Sequence, residues 1–496
     1  MRLGAVLFLA LLFATQPARA EADVEQAVAL FRADRFAEAS KLLHALANDP
    51  QRATADRSRA QYYLARSLHA LGLVQAAQLE LVAVLERGPD DPYFRYALSG
   101  LLSIAHQTGD PAPLLGVVDQ VEPADQPPRA QPTLHYLQGL AAWHREDPVR
   151  ANEQLSLVPD DNDLHPRARY LQGLIHLEHG KQKSAASAFQ DVVRAEPRGD
   201  RGEREQLAEL QAMATLRLGR LYDDLGDLDQ AEGFYAQVER GSRAWSEALE
   251  AMARIDLAQR EPTSALRRSA AVAWQTVPAS ALRVSSVPRV AEILHAQALR
   301  ALCRPTDAEL VLRRLEARAL PSWTALAAAT ASHRDATGAW RDPSLAWTTW
   351  IDGADSDDPP LDQDVVSTLL ERDELVAHVA RLARLGDEQT RIRADSQLWR
   401  EQVGQDLVSD LEVEVARIQG EAGIDLLEAS AALEAELGTL LQLAEAERRG
   451  LATDQPCEPP TPGPQGSDPD AWGQGTTEDE ASWTWPYTGE IWVDEL

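Results

Sequence analysis

The pentapeptide YLQGL stands at residues 136–140 and returns at residues 170–174, 34 residues later. The echo is wider than five letters. With Gly139 and Gly173 as anchors, a small residue recurs at Ala27, Ala65, Ser99, Gly139, Gly173, Gly219, Ala253 and Ala296. Twelve residues after each anchor come Ala39, Ala77, Pro111, Ala151, Ala185, Ala231, Ala265 and Ala308. Four residues further on stand Leu43, Leu81, Leu115, Leu155, Phe189, Tyr235, Ser269 and Leu312, and Pro89, Pro123 and Pro197 close three of the units. Such spacing describes a helical hairpin. A small residue on the first helix admits the second, Ala faces it, the large residue fills the gap between layers, and Pro ends the unit. One hairpin cannot bury its apolar face alone, so successive hairpins must stack.

This pattern resembles the tetratricopeptide repeat (TPR) family over residues 22–321, in about eight units. The resemblance implies an all-α fold: a TPR-type α-solenoid, a right-handed superhelix of helical hairpins that gathers other proteins and catalyses nothing. The pattern lapses in places. Pro111 replaces Ala in the third unit, the fourth is cut short at Pro159, Ser269 weakens the seventh, and the charged insertion RGDRGEREQLAE parts the fifth from the sixth.

In a curved array the first helices of successive hairpins line the concave side. Three residues before four consecutive anchors lie Tyr62, Tyr96, Tyr136 and Tyr170, and Arg59, Arg66, His69, Tyr93, Trp143, Arg167 and Arg220 fall at other expected groove positions. Tyr offers contact area with a polar tip, and Arg grips carboxylates. Equally, a Tyr at the junction between helices is ordinary core. If these residues face the groove, the expected ligand is a peptide segment of another protein, with a sugar chain as runner-up. Some family members clamp a C-terminal Asp with fixed Lys and Asn positions; here Tyr residues stand where that clamp begins, so the activity is not carried over.

Residues 1–20, MRLGAVLFLALLFATQPARA, read as a cleaved secretory signal: a basic start, a short apolar run and the small-x-small site Ala18-Arg19-Ala20. No later run is long and apolar enough to span a bilayer. Three Lys beside 45 Arg, with abundant Ala, point to a GC-rich bacterial genome, so the expected location is the periplasm or cell surface. A formal charge of −30 disfavours nucleic acid and anionic membranes as partners. Cys303 and Cys457 are the two cysteines, and the sequence leaves their pairing open.

Past the repeats, residues 322–363 read as one helix and an acidic linker carrying Trp340, Trp347 and Trp350. The cluster Asp352, Asp355, Asp357 and Asp358 lacks EF-hand spacing and reads as solvated linker. From 364 to 450 a narrow stripe (Leu407, Leu411, Val415, Ile418, Leu426, Leu433, Leu437, Leu440, Ala444) predicts long, coiled-coil-like helices, with breaks at Gly386, Gly420 and Gly423. The stripe suits packing on the array or a homodimer. Residues 451–480 read as a disordered acidic linker rich in Pro and Gly. Residues 481–496, ASWTWPYTGEIWVDEL, form an aromatic motif with Trp483, Trp485, Tyr487 and Trp492. Aromatics on a flexible tether are costly to leave in water, so the motif is expected to dock, on a partner or in the groove of its own array. The ending GEIWVDEL is faintly similar to the close of TPR proteins of the myxobacterial gliding machinery.

No catalytic, metal or cofactor site emerges. His176 and His179 lie one turn apart, but zinc needs further ligands. GxSxG, HExxH and the P-loop are absent. The expected function is therefore that of an exported, non-enzymatic scaffold binding other cell-envelope proteins, and the alternative is a carbohydrate-binding component of polysaccharide export or wall assembly.

Overall fold

The computed structural model describes residues 23–273, 289–354, 359–395, 398 and 400–453. Among these the regular elements are helical, apart from one isolated β-bridge between Arg334 and Trp340. The hairpins follow in chain order: α1 (Val24–Arg32) with α2 (Phe36–Ala47), α3 (Thr54–Ala70) with α4 (Val74–Leu85), and α5 (Phe94–Thr108) with α6 (Ala112–Leu115). Next come α7 (Gln131–His144) with α8 (Pro148–Leu155), α9 (His165–Glu178) with α10 (Gln182–Val193), and α11 (Arg201–Asp224) with α12 (Leu228–Tyr235). The last two are α13 (Trp245–Ala258) with α14 (Pro262–Ala273), and α15 (Val290–Ala301) with α16 (Pro305–Ser332). Four more helices follow: α17 (Pro343–Trp347), α18 (Gln363–Leu370), α19 (Asp373–Ala394) and α20 (Gln402–Thr453). Two compact units emerge, residues 1–122 with 383–414, and residues 123–382 with 415–496. Both contain stacked helical hairpins, joined by stretches of the long helices α19 and α20.

The packing follows the period. Ala39, Ala77, Ala151, Ala185, Ala231, Ala265 and Ala308 are all fully buried, as are Leu43, Phe189, Tyr235 and Leu312 four residues on. A Cβ on Gly139 would lie 2.6 Å from Leu155 Cγ, and one on Gly219 would lie 2.5 Å from Tyr235 Cε1. The anchors are small because the large residue of the second helix rests on the backbone of the first. Burying each such Leu or Phe contributes about 1.5–3 kcal/mol. Turns between hairpin helices use a repeated stop: Lys181 N–H donates to His176 O at 2.8 Å around Gly180, whose φ is +67°, and Asp227 N–H donates to Tyr222 O at 2.9 Å around Gly226.

Three of the four lapses in the pattern have a structural counterpart. Pro111 leaves only one turn of α6, and there Leu114 takes the buried place while Leu115 is half-buried and Ser99 is exposed. Ser269 is fully buried in place of a large residue; its Oγ donates to Ala265 O at 2.7 Å and lies 3.2 Å from His295 Nδ1. Burial depresses His295 to about 4, which keeps the ring neutral. The charged stretch before the sixth hairpin is not a separate insertion. It forms the first turns of α11, started by a reciprocal cap in which Glu203 N–H donates to Asp200 Oδ1 at 3.0 Å and Asp200 N–H donates to Glu203 Oε2 at 2.9 Å.

The second half departs more from expectation. Trp347 and Trp350 are buried in one core with Leu361, Val365, Leu369, Leu426, Leu433 and Leu437, so the Trp segment before the acidic loop is core. Of the Asp cluster, Asp352 is described, and its carboxylate accepts from Gln419 Nε2 at 3.2 Å; Asp355, Asp357 and Asp358 lie outside the described residues. Helices α19 and α20 run unbroken through Gly386, Gly420 and Gly423. Gly423 serves close approach instead: a Cβ there would meet the Pro343 backbone. The apolar stripe is covered within its own chain, with Leu407, Leu411, Ile418, Leu426 and Leu440 all buried.

Ion pairs and caps fasten these helices inside each unit. In the first, Glu388 on α19 accepts from Gln75 N–H at 2.9 Å and Ala76 N–H at 2.7 Å, capping α4. Arg391 Nη2 donates to Gly72 O at 2.7 Å, and Arg384 Nη2 pairs with Asp110 at 2.6 Å. In the second, Arg448 spans Glu309 and Glu316 at 3.3 and 2.9 Å, and Arg372 pairs with Glu436 at 3.0 Å. Cys303 stands at a φ of 59°, and Cys457 lies outside the described residues.

Candidate functional site

The expected groove residues fall into two groups, one per unit. In the first unit α3 carries Arg59, Tyr62, Arg66 and His69 on successive turns, and α5 carries Tyr96. Tyr62, Arg66, His69 and Tyr96, with Leu81 of α4, border a cleft of about 320 Å³. It is lined by Tyr62, Arg66, His69 and Tyr96 together with Ala65, Leu81, Ser99, Gly100, Ser103 and Ile104.

An aromatic cluster forms one side. Tyr62, Tyr93 and Tyr96 stand in mutual contact, with ring centroids 5.5 to 5.8 Å apart. Tyr62 is 9% exposed, whereas Tyr96 is 59% exposed, the larger contrast for two residues at one repeat position. Burial raises the Tyr93 phenol, which therefore stays neutral. Arg66 lies over the rings of Phe31 and Tyr62, at 5.4 and 5.9 Å from their centroids, and its Nη1 donates to Tyr62 Oη at 3.1 Å. The aromatic contacts fix the guanidinium while leaving the residue exposed, so its remaining donors are free to meet an anion. His69 Nε2 lies 3.3 Å from Gln107 Oε1. Arg59 is set apart: it pairs with Glu25 at 2.8 Å, which raises its pKa.

Among the described residues no carboxylate lines this cleft. It offers rings to stack on, one held guanidinium, and the hydroxyls of Ser99 and Ser103.

In the second unit the corresponding positions are differently used. Tyr170 is 9% exposed and packs edge-on against Phe189, centroids 5.6 Å apart, with its hydroxyl buried and unpaired. Tyr136 and Trp143 are half-buried against the core of the fourth hairpin, and burial raises the Tyr136 phenol. Arg167 is exposed and bonds Gln206, and Arg220 is neutralised by Glu247. The structure thus gathers Tyr62, Arg66 and Tyr96 into one cleft, leaves Tyr170 between helices, and pairs Arg59 and Arg220 with carboxylates. Trp483, Trp485, Tyr487 and Trp492 lie outside the described residues.

Gly100 and Ser103 are lining residues the repeat pattern does not single out. Their signal is the run of small side chains, Ser99, Gly100 and Ser103, on one face of α5, which opens the space that a bulky residue would fill. On α9, His179 Nδ1 lies 2.9 Å from Ile175 O, and among the described residues no group of three or more His, Cys, Asp or Glu could hold a metal. Among them, too, no helix is long and apolar enough to cross a membrane.

No family model and no curated protein matches the chain. Among solved structures it is similar to the crystal structure of the P58(IPK) TPR domain, at 14% identity, covering 79% of this chain and 97% of that one, with a TM-score of 0.19. The stacked helical hairpins rest on the anchor glycines and the buried alanines that face them.

Proposed function

We propose that this chain is an exported, non-enzymatic scaffold of a bacterial cell envelope, whose first-unit cleft takes up peptide segments of other proteins. The observation that carries this is the cleft between Tyr62, Arg66 and Tyr96: aromatic, free of carboxylates, and open in a chain of charge −30. Stacked hairpins present such faces to extended or helical segments, with aromatic anchors and Arg supplying most of the binding energy. The signal-like residues 1–20 support export.

The test is affinity capture by the full chain and by its Tyr96→Ala and Arg66→Glu variants, with bound proteins identified by mass spectrometry. Proteins retained by the native chain and lost from both variants are expected. Equal retention by all three would overturn a role for the cleft. A captured ligand whose binding ignores salt, and which proves to be a glycan, would instead favour the carbohydrate role, because stacking on sugars is little screened while Arg–carboxylate contacts are.

A further inference from the structure

The cleft matches one segment of known sequence, and that segment belongs to this chain. Residues 454–496 contain ten Asp and Glu and no Lys or Arg, and four of the twelve Trp, at positions 472, 483, 485 and 492. Within residues 480–496, Glu480, Glu490, Asp494 and Glu495 alternate with Trp483, Trp485, Tyr487 and Trp492. This is the complement of a wall made of Tyr62, Tyr93 and Tyr96 beside the exposed Arg66 and His69. Other exposed Arg residues are met by carboxylates, as Arg254 is by Asp223 and Arg393 by Glu412, or by neutral oxygens, as Arg167 is by Gln206. Arg66 is held by rings and a phenol, which neutralise nothing.

We propose that residues 480–496 of the chain are the resident occupant of its own Tyr62–Arg66–Tyr96 cleft, and that a partner must displace them to bind. The inference rests on the cleft being a ligand site and adds its regulation. Aromatic residues of the segment lie against the Tyr cluster, and an acidic neighbour accepts from Arg66. A segment of the same chain competes with a free partner at an effective concentration set by its tether, not by the amount of protein. Partners that win must be more acidic, more aromatic or present in several copies.

The experiment uses the full chain throughout. A labelled synthetic peptide of residues 480–496 is titrated, by fluorescence anisotropy, into the native chain and into a variant whose own segment is silenced by Trp483→Ala, Trp485→Ala and Trp492→Ala. The silenced chain should bind the peptide about tenfold or more tighter than the native chain does, because only the latter has a competitor. Adding Arg66→Glu or Tyr96→Ala to the silenced chain should weaken binding by about tenfold, and rising salt should weaken it further. Two cleft variants at exposed positions guard against misfolding, and circular dichroism checks each. Equal affinity for native and silenced chains, binding no better than that of a scrambled peptide, or indifference to both cleft substitutions would overturn the proposal. Should the peptide be refused while Tyr96→Ala still abolishes capture of other proteins, self-occupancy alone falls. Should neither respond to cleft variants, the cleft is no ligand site and both fall together.

Discussion

Phe189 rests on the bare backbone of Gly173, its Cε1 lying 2.5 Å from where a Cβ would stand. The same relation joins Tyr235 to Gly219 and Leu155 to Gly139. The 34-residue period is thus a record of one contact made repeatedly, in which a large residue of the second helix occupies the volume a side chain would have taken on the first.

That contact makes glycine at these anchors irreplaceable in a way glycine elsewhere is not. Gly173→Ala should destabilise by about 1–3 kcal/mol through overpacking against a fully buried ring. Gly233 lies within α12 with nothing near its absent Cβ, so Gly233→Ala should stabilise by about 0.5–1 kcal/mol. Urea unfolding of the two variants, at unchanged slope, checks both signs; equal effects would refute the packing explanation.

Glu388 tests the fastening of α19 onto the first unit. Glu388→Ala leaves the Gln75 and Ala76 amides at the start of α4 without their acceptor, an expected loss of about 1–3 kcal/mol. Hydrogen exchange should show those two amides exchanging faster in the variant, while amides of the second unit keep their protection. Unchanged exchange at Gln75 would show that the cap is dispensable.

Stability should fall as pH rises toward neutrality. Burial, aided by nearby Asp410, pushes Glu80 up to about 7, against the opposing effects of Gln61, which donates to it at 2.7 Å, and Arg87. Glu250 in the second unit is also pushed by burial to about 7. A carboxyl that titrates higher folded than unfolded takes up protons on folding, so its contribution is fully present below about 4.5 and is lost as pH passes about 7. Glu80→Gln should therefore leave stability unchanged near pH 5 and raise it near pH 8, on the order of 1–2 kcal/mol. Parallel stability–pH curves for the two proteins would contradict this.

Tyr170 and Tyr96 occupy the same repeat position and should respond oppositely. Tyr170→Phe removes a buried hydroxyl that has no partner, so thermal stability should hold or rise by up to about 1 kcal/mol, with ligand capture untouched. Tyr96→Ala should cost little stability and abolish capture. Loss of capture in Tyr170→Phe would place that ring in the binding face after all.

The period made the hairpins legible because it is a local signal, repeated: small residue, Ala and large residue recur within one unit, and burial of every one of the seven alanines follows from it. The side of the helix on which each Tyr falls was not legible. Tyr62 and Tyr170 lie between helices and Tyr96 in the open, although their spacing from the anchors is identical, because a fraction of a helical turn separates the two environments. In the third hairpin Pro111 shortens α6 and shifts which residues are buried. The stripe on α20 announced that something would cover it but held no information about what, and of the glycines read as breaks Gly423 proved to be a point of close approach. Glu388 and Gln75 are 313 residues apart, and no periodicity encodes a pairing at that distance.

That separation has a consequence for how the molecule is made. At about 5–20 residues per second, roughly tens of seconds pass between the emergence of α4 from the ribosome and that of the carboxylate that caps it. The hairpins synthesised first are therefore among the last to be finished. Until residues 383–414 arrive, the amides that open α4 wait for Glu388, and the Gly72 carbonyl waits for Arg391.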